Sequence, residues 1–110
     1  MKQHDIFLSG PMTGIAEWNY PAFNEAAETL RGLGLLVFNP AESFGGDTSK
    51  PRAYYMRVCI EALLRCKALV SLPRWSSSDG AYLERRLAEQ LGLPCANLAT
   101  FLKERATEGR

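Results

Sequence analysis

Glu84 closes the stretch Ser77-Ser78-Asp79-Gly80-Ala81-Tyr82-Leu83-Glu84, where a hydroxyl, a glycine and a carboxylate follow one another at spacings that suit a binding and reacting site. Residues before this stretch read as strand and those after it as helix, so it is a strand-to-helix corner. Asp79 can cap the helix through its carboxylate. Gly80 permits close approach of a ligand to the backbone, and the first-turn N–H groups of such a corner face an anion. On a helix starting near Gly80, Glu84 shares a face with Leu87, Ala88 and Leu91, whereas Tyr82, Arg85, Arg86, Glu89 and Gln90 fall on the other side. A carboxylate therefore sits on the inward face, where burial raises its pKa and the helix N-terminus lowers it. The same pattern also describes a half-exposed glutamate at the stripe's edge, or a first-turn carboxylate that only complements the helix dipole.

The elements that must position this corner follow from periodicity. Asp5-Ile6-Phe7-Leu8-Ser9 is a short apolar run ending in Gly10-Pro11 and predicts a buried first strand. The loop Ser9-Gly10-Pro11-Met12-Thr13-Gly14 carries glycines but fits neither the Walker pattern nor GxGxxG, so it is a weak phosphate motif or a plain tight turn. Asn19 or Tyr20 as cap, Pro21 at the first helical position, and Phe23, Ala26, Ala27 and Leu30 at helical spacing predict a first helix, ended by Gly32 and Gly34. Leu35 to Phe38 is a second buried strand, stopped by Asn39-Pro40. Ala41 to Lys50, with Gly45-Gly46 and Asp47-Thr48-Ser49, reads as a polar loop that is either a lid or an idle connection. Pro51 opens a second helix with Met56, Cys59, Ile60, Leu63 and Leu64 inward. Ala68 to Leu72 is a third strand, Pro94 to Leu98 a fourth, and Phe101 to Glu108 a last short helix. The expectation is a small doubly wound α/β domain of the flavodoxin-like, Rossmann-like kind: a parallel sheet of about four strands, right-handed crossovers and helices on both faces. Ligands of such sheets lie beyond the carboxyl ends of the strands, here Ser9-Gly10, Asn39 and Pro73-Arg74-Trp75.

Length and composition bound the rest. The 110 residues suffice for a single domain over 1–110 with one core and one crevice. Thirteen Lys and Arg against twelve Asp and Glu leave a net charge of +1, which points to neither nucleic acid nor an anionic membrane as partner. Cys59, Cys66 and Cys95 form no CxxC pair and are read as thiols. Cys59 and Cys66, placed on one helix, stand roughly 10 Å apart along its axis, beyond disulfide reach. His4 is the single histidine and is expected just ahead of the first strand. It leaves no histidine-based metal cluster and no Ser/His/Asp triad. With no apolar run near bilayer length and no signal core, the expected location is cytoplasmic, with no metal and no cofactor.

Three stretches together, Ile6 to Gly14, Val37-Phe38-Asn39-Pro40-Ala41-Glu42 and Ser78-x-Gly80-x-x-x-Glu84, resemble the nucleoside 2-deoxyribosyltransferase-like superfamily, most closely a branch found in phages and bacteria. The resemblance covers roughly residues 5 to 98. It implies cleavage of the N-glycosidic bond of a deoxynucleoside or deoxynucleotide, with Glu84 as nucleophile on the anomeric carbon, which becomes oxocarbenium-like and is trapped covalently. It also implies a homodimer. Transferases of the superfamily tend to carry Asp where this chain has Ser78, and monophosphate hydrolases carry Ser. A hydroxyl at a helix N-terminus accommodates a phosphate that a carboxylate repels. The substrate expected is thus a small-molecule 2′-deoxynucleoside 5′-monophosphate, with Ser9, Gly10, Met12, Asn39, Trp75, Ser78 and Gly80 as its binding residues.

The chain departs from the family pattern at three places. Phe7 stands where relatives usually carry a Tyr whose hydroxyl steadies the nucleophile, Cys59 stands where they carry an acidic residue, and Lys67 replaces a usual Asp. A thiol is a poor general acid at neutral pH, and losing the acid costs on the order of 10²- to 10⁴-fold. Two functions follow: an N-glycosidase or deoxyribosyltransferase acting through Glu84, or a catalytically silent nucleotide-binding module that keeps the Gly10 and Ser78 cradle. A dehydrogenase fits worse, because no GxGxxG follows the first strand and no ribose-binding acid follows the second.

Overall fold

Each apolar run of the sequence becomes a strand or a helical stripe in the computed structural model, which describes residues 4–44 and 49–108. Strand β1 spans His4–Ser9, α1 Tyr20–Gly32, β2 Val37–Phe38, α2 Pro40–Ser43, α3 Arg52–Leu63, β3 Cys66–Ser71, α4 Asp79–Gln90, β4 Cys95–Asn97 and α5 Leu98–Glu108. All strand pairs are parallel, in the order β2-β1-β3-β4. The expected doubly wound α/β architecture is therefore the one observed.

The period-2 alternation of β1 divides the core. Ile6 and Leu8 pack with Phe23, Ala26, Ala27 and Leu30 of α1, against which Phe101 and Leu102 of α5 also lie. Phe7 points the other way, into a cluster with Cys59, Ala62 and Leu63 of α3 and Ala88 of α4. Chain direction reverses between β1 and β3: from β1 the chain runs to the β2 edge, then returns through α3 to β3 on the far side. The carboxyl ends of β1 and β3 form the switch point. Leu72 N–H donates to Ser9 C=O at 2.8 Å there, and a Cβ added to Gly10 would stand 2.8 Å from Leu72 Cβ. Gly10 is thus required by the close approach of two backbones.

Several boundaries differ from the sequence expectations. Only Val37 and Phe38 ladder in β2, because Gly34 turns at φ +86° and Leu36 stays about half exposed at the sheet's edge. His4 is the first residue of β1, with its ring edge-on to Phe38. Asn19 holds the N-cap position of α1 at φ +62°, but its amide donates to Pro11 C=O and makes no cap, and Pro21 is the second helical residue. Ala41 to Ser43 are helical, and the Gly45-Gly46 and Asp47-Thr48 part of the expected lid lies outside the described residues. Cys66 opens β3 and does not share a helix with Cys59. Leu64 and Leu91, expected inward, are exposed beyond the last turns of α3 and α4. Helix α5 starts at Leu98, directly after β4. Lys67 is exposed and lies 3.6 Å from Asp5. No described helix is long and apolar enough to cross a membrane.

Candidate active site

The polar ends of the central strands lie in register: Ser9 pairs with Ser71, and Ser71 with Asn97. Two consecutive residues of α4 reach this row. Ser9 Oγ donates to Glu84 Oε1 at 2.7 Å, with both side chains buried. Arg85 Nη1 donates to Ser71 Oγ at 3.2 Å and to Asn97 Oδ1 at 2.9 Å. The Arg85 guanidinium also lies 4.4 Å from the centre of the Trp75 ring, whose indole N–H donates to Asn97 as well. The helical wheel sent Arg85 outward. Its long stem lets the head reach back over the sheet edge, a reach that only the row of strand-end acceptors explains.

Glu84 is 7 % exposed, on the inward face of α4 with Ala81 and Ala88. Burial pushes its carboxyl up to about 7, and the Ser9 hydroxyl pulls in the opposite direction. The first oxygen, Oε1, is held by Ser9. Among the described residues the second has no hydrogen-bond partner, and no fully buried side-chain oxygen there lacks one. Oε2 is therefore the oxygen that reaches solvent, and Glu84 lines a cavity of about 720 Å³ at the switch point. A carboxylate with one oxygen tethered and the other facing open space near its own pKa can act as a nucleophile or as an acid–base group.

The corner in front of Glu84 is capped by Ser78, whose Oγ accepts from Ala81 N–H at 3.3 Å. Asp79, expected as the cap, is instead the first helical residue. Ser78 keeps its own O–H to donate, as an anion at this corner would need. A Cβ on Gly80 would meet only Met56 Sδ, at 3.6 Å, so the protein's own packing does not demand glycine there. Arg74, Arg52 and Lys50 line the same cavity against two carboxylates, Asp79 and Glu84, so its charge favours an anion. The lining also carries aromatic residues, among them Trp18, Tyr20, Phe23, Phe44 and Tyr55. Trp18 is held there by an uncommon backbone: Glu17, Trp18 and Asn19 have φ of +54°, +54° and +62°, a left-handed turn costing about 1–2 kcal/mol per residue.

A family model described as "Domain of unknown function (DUF4406)" matches residues 4–97. The chain belongs to this family. The DUF4406 match runs from β1 through β4 and takes in the switch point, the corner and Glu84, leaving α5 outside. A search among curated proteins returned no match.

Of the residues expected from sequence, Gly10, Met12, Cys59, Ser78, Gly80 and Glu84 come together on the cavity wall. Cys59 lies beside Glu84, and burial and the neighbouring carboxylate push its thiol up to about 12. The others do not line the cavity. Phe7 is fully buried, its ring stacked 5.4 Å from that of Phe38. Ser9 lies beneath Glu84 and grips it. Asn39 spends its amide on capping α2 through Ala41 N–H and on donating to Asn24. Trp75 packs against Arg85 and Tyr82 beside β4. Sequence reasoning missed Arg52, Arg74 and Trp18, whose side chains are ordinary by type. Only Arg74's position next to Trp75, at the end of the third strand, hinted at its place. Among the described residues, no group of three or more His, Cys, Asp or Glu side chains is placed to hold a metal ion.

Proposed function

We propose that the protein cleaves or transfers the N-glycosidic bond of 2′-deoxynucleoside 5′-monophosphates, as a nucleoside 2-deoxyribosyltransferase-like enzyme with Glu84 as nucleophile. The observation that carries this reading is the buried Glu84 carboxylate, one oxygen held by Ser9 and the other open to the cavity. Oε2 attacks the anomeric carbon as the C1′–N bond breaks and its electron pair leaves with the base. Water, or a second base, then displaces Glu84 from the glycosyl ester. Burial supports the nucleophile by keeping its carboxylate desolvated. Ser78 O–H, the first-turn N–H groups of α4 and Arg74 support recognition of the 5′-phosphate. A homodimer belongs to the same proposal; the flank of α3 bearing Ile60 and the exposed Leu64 is available for such a contact.

A catalytically silent nucleotide-binding module is the second reading, favoured by the Cys59 thiol and by the packing of Phe7 against Phe38. One experiment separates the two. The protein is incubated with the four deoxynucleoside monophosphates, free base is followed by chromatography, and binding is measured by calorimetry. Base release is expected, and Glu84→Gln is expected to lower it by at least about 10³-fold while binding holds. Binding without release assigns the silent module, and turnover unchanged in Glu84→Gln removes Glu84 from the mechanism.

A further inference from the structure

Four residues of α3 line the cavity, Arg52, Tyr55, Met56 and Cys59, and their spacing is that of a single helical face. Two of them fix the height of that face against α4. A Cβ on Gly80 would stand 3.6 Å from Met56 Sδ, and Cys59 is close enough to Glu84 for the carboxylate's charge to act on its thiol. From Met56 to Cys59 the stripe thus keeps pace with α4 from Gly80 to Glu84. Arg52 lies one turn ahead of Met56, about 6 Å along the axis, which brings it level with Ser77 and Ser78. The first turn of α3 overhangs the corner where α4 begins.

Neither Arg52 nor Arg74 stands where local preference puts a cation. Arg52 is the first residue of α3, in a turn without an acidic residue, so its charge opposes the helix dipole. Arg74 has the left-handed φ of +67°, a conformation that costs a non-glycine residue stability. Neither forms an ion pair with a described carboxylate, Asp79 at the same corner included. Lys50, the third cation of the lining, lies over the exposed Tyr54 ring, 5.8 Å from its centre. Resting on the reading of the Ser78 corner as a 5′-phosphate cradle, we propose that Arg52 is its specificity-determining residue: it reaches the phosphate from α3 while Arg74 reaches it from the loop after β3. Two guanidiniums match the two charges of a phosphate monoester, and a planar fork bonds two of its oxygens at once, which an ammonium does not. A nucleoside, ending in a hydroxyl, gains nothing from Arg52.

The test is calorimetry in the Glu84→Gln background, which keeps the ligand intact, with the tightest-binding of the four 2′-deoxynucleoside 5′-monophosphates and the matching nucleoside. Adding Arg52→Gln is expected to weaken the monophosphate by about 10- to 100-fold and to leave the nucleoside unaffected. Arg52→Lys should recover part of that loss, and Lys50→Gln should cost less than about threefold, the scale of a screened charge at a distance. The urea midpoint of the Arg52→Gln protein is expected to hold or rise, because the conflict with the α3 dipole is removed. An unchanged monophosphate affinity in Arg52→Gln, a nucleoside weakened as much as the monophosphate, or an equal loss in Lys50→Gln overturns the inference and leaves the proposed function standing. Equal affinity for nucleoside and monophosphate before any change at Arg52 overturns both the inference and the monophosphate assignment.

Discussion

Ser9 supplies from beneath what Phe7 cannot. The hydroxyl expected to steady the nucleophile is absent at Phe7, but two residues further along the same strand, on the same face, Ser9 donates to Glu84 Oε1 at 2.7 Å. This bond favours the charged carboxylate, against the burial that disfavours it. Ser9→Ala is therefore expected to raise the Glu84 pKa. A hydrogen bond to a charged group is worth about 1.5–3 kcal/mol, so the rising limb of the pH–rate profile should move up by about one to two units. An unmoved limb with intact folding would show that the tether does not tune the carboxylate. Cys59 has the reverse character: its thiol stays protonated beside Glu84 and acts as packing with a polarisable edge.

The switch point and the corner beside it carry two glycine-linked requirements that differ in kind. A Cβ at Gly10 would run into Leu72 at 2.8 Å, so Gly10→Ala should destabilise the fold by about 1–3 kcal/mol, read from the urea midpoint. Gly80 has room for a Cβ and sits in the first turn of α4, where Ala is the better helix former. Gly80→Ala should stabilise the protein by about 0.5–1 kcal/mol yet weaken monophosphate binding about tenfold. A variant that is stabilised and binds as before would mean that no ligand approaches this backbone. Ser78→Asp is the complementary test, because Asp also caps helices and so spares α4. It should weaken a monophosphate by about 1–3 kcal/mol and leave a nucleoside unaffected; calorimetry with both ligands decides.

Across the whole molecule, the buried Glu84 ties stability to pH. Its folded-state pKa of about 7 lies above the ordinary value of 4.5, so between these values the native state keeps a proton that the unfolded chain has released. Stability is thus expected to fall as pH rises from about 4.5 to about 7, by up to about 3 kcal/mol, and Glu84→Gln should remove that slope. Urea titrations of the parent and the variant across this range check it, and parallel curves would contradict it. A protein tuned for stability alone would not keep an ionisable group there. The site instead holds a buried carboxylate whose pKa of about 7 is set by burial against the Ser9 hydroxyl.

Periodicity and punctuation in the chain determined the order of strands and helices, the parallel sheet, the strand-to-helix corner and the inward face of Glu84, because burial alternates at 2.0 along a strand and 3.6 along a helix. Composition alone could not say which polar groups would satisfy one another. Ser9 and Glu84 are distant in sequence, and Arg85, Ser71 and Asn97 meet only because β1, β3 and β4 bring their ends into register. The same holds for the cavity wall. Asn39 and Trp75 stand at strand ends as expected, but local capping and stacking absorb their polar atoms and faces. Trp18, Arg52 and Arg74 reach the cavity by a left-handed turn, a helix start and a loop, which leave no periodic trace. Tertiary structure decided these roles because each polar group that folding removes from water must find its partner in space, and proximity in space is what a periodic pattern does not encode.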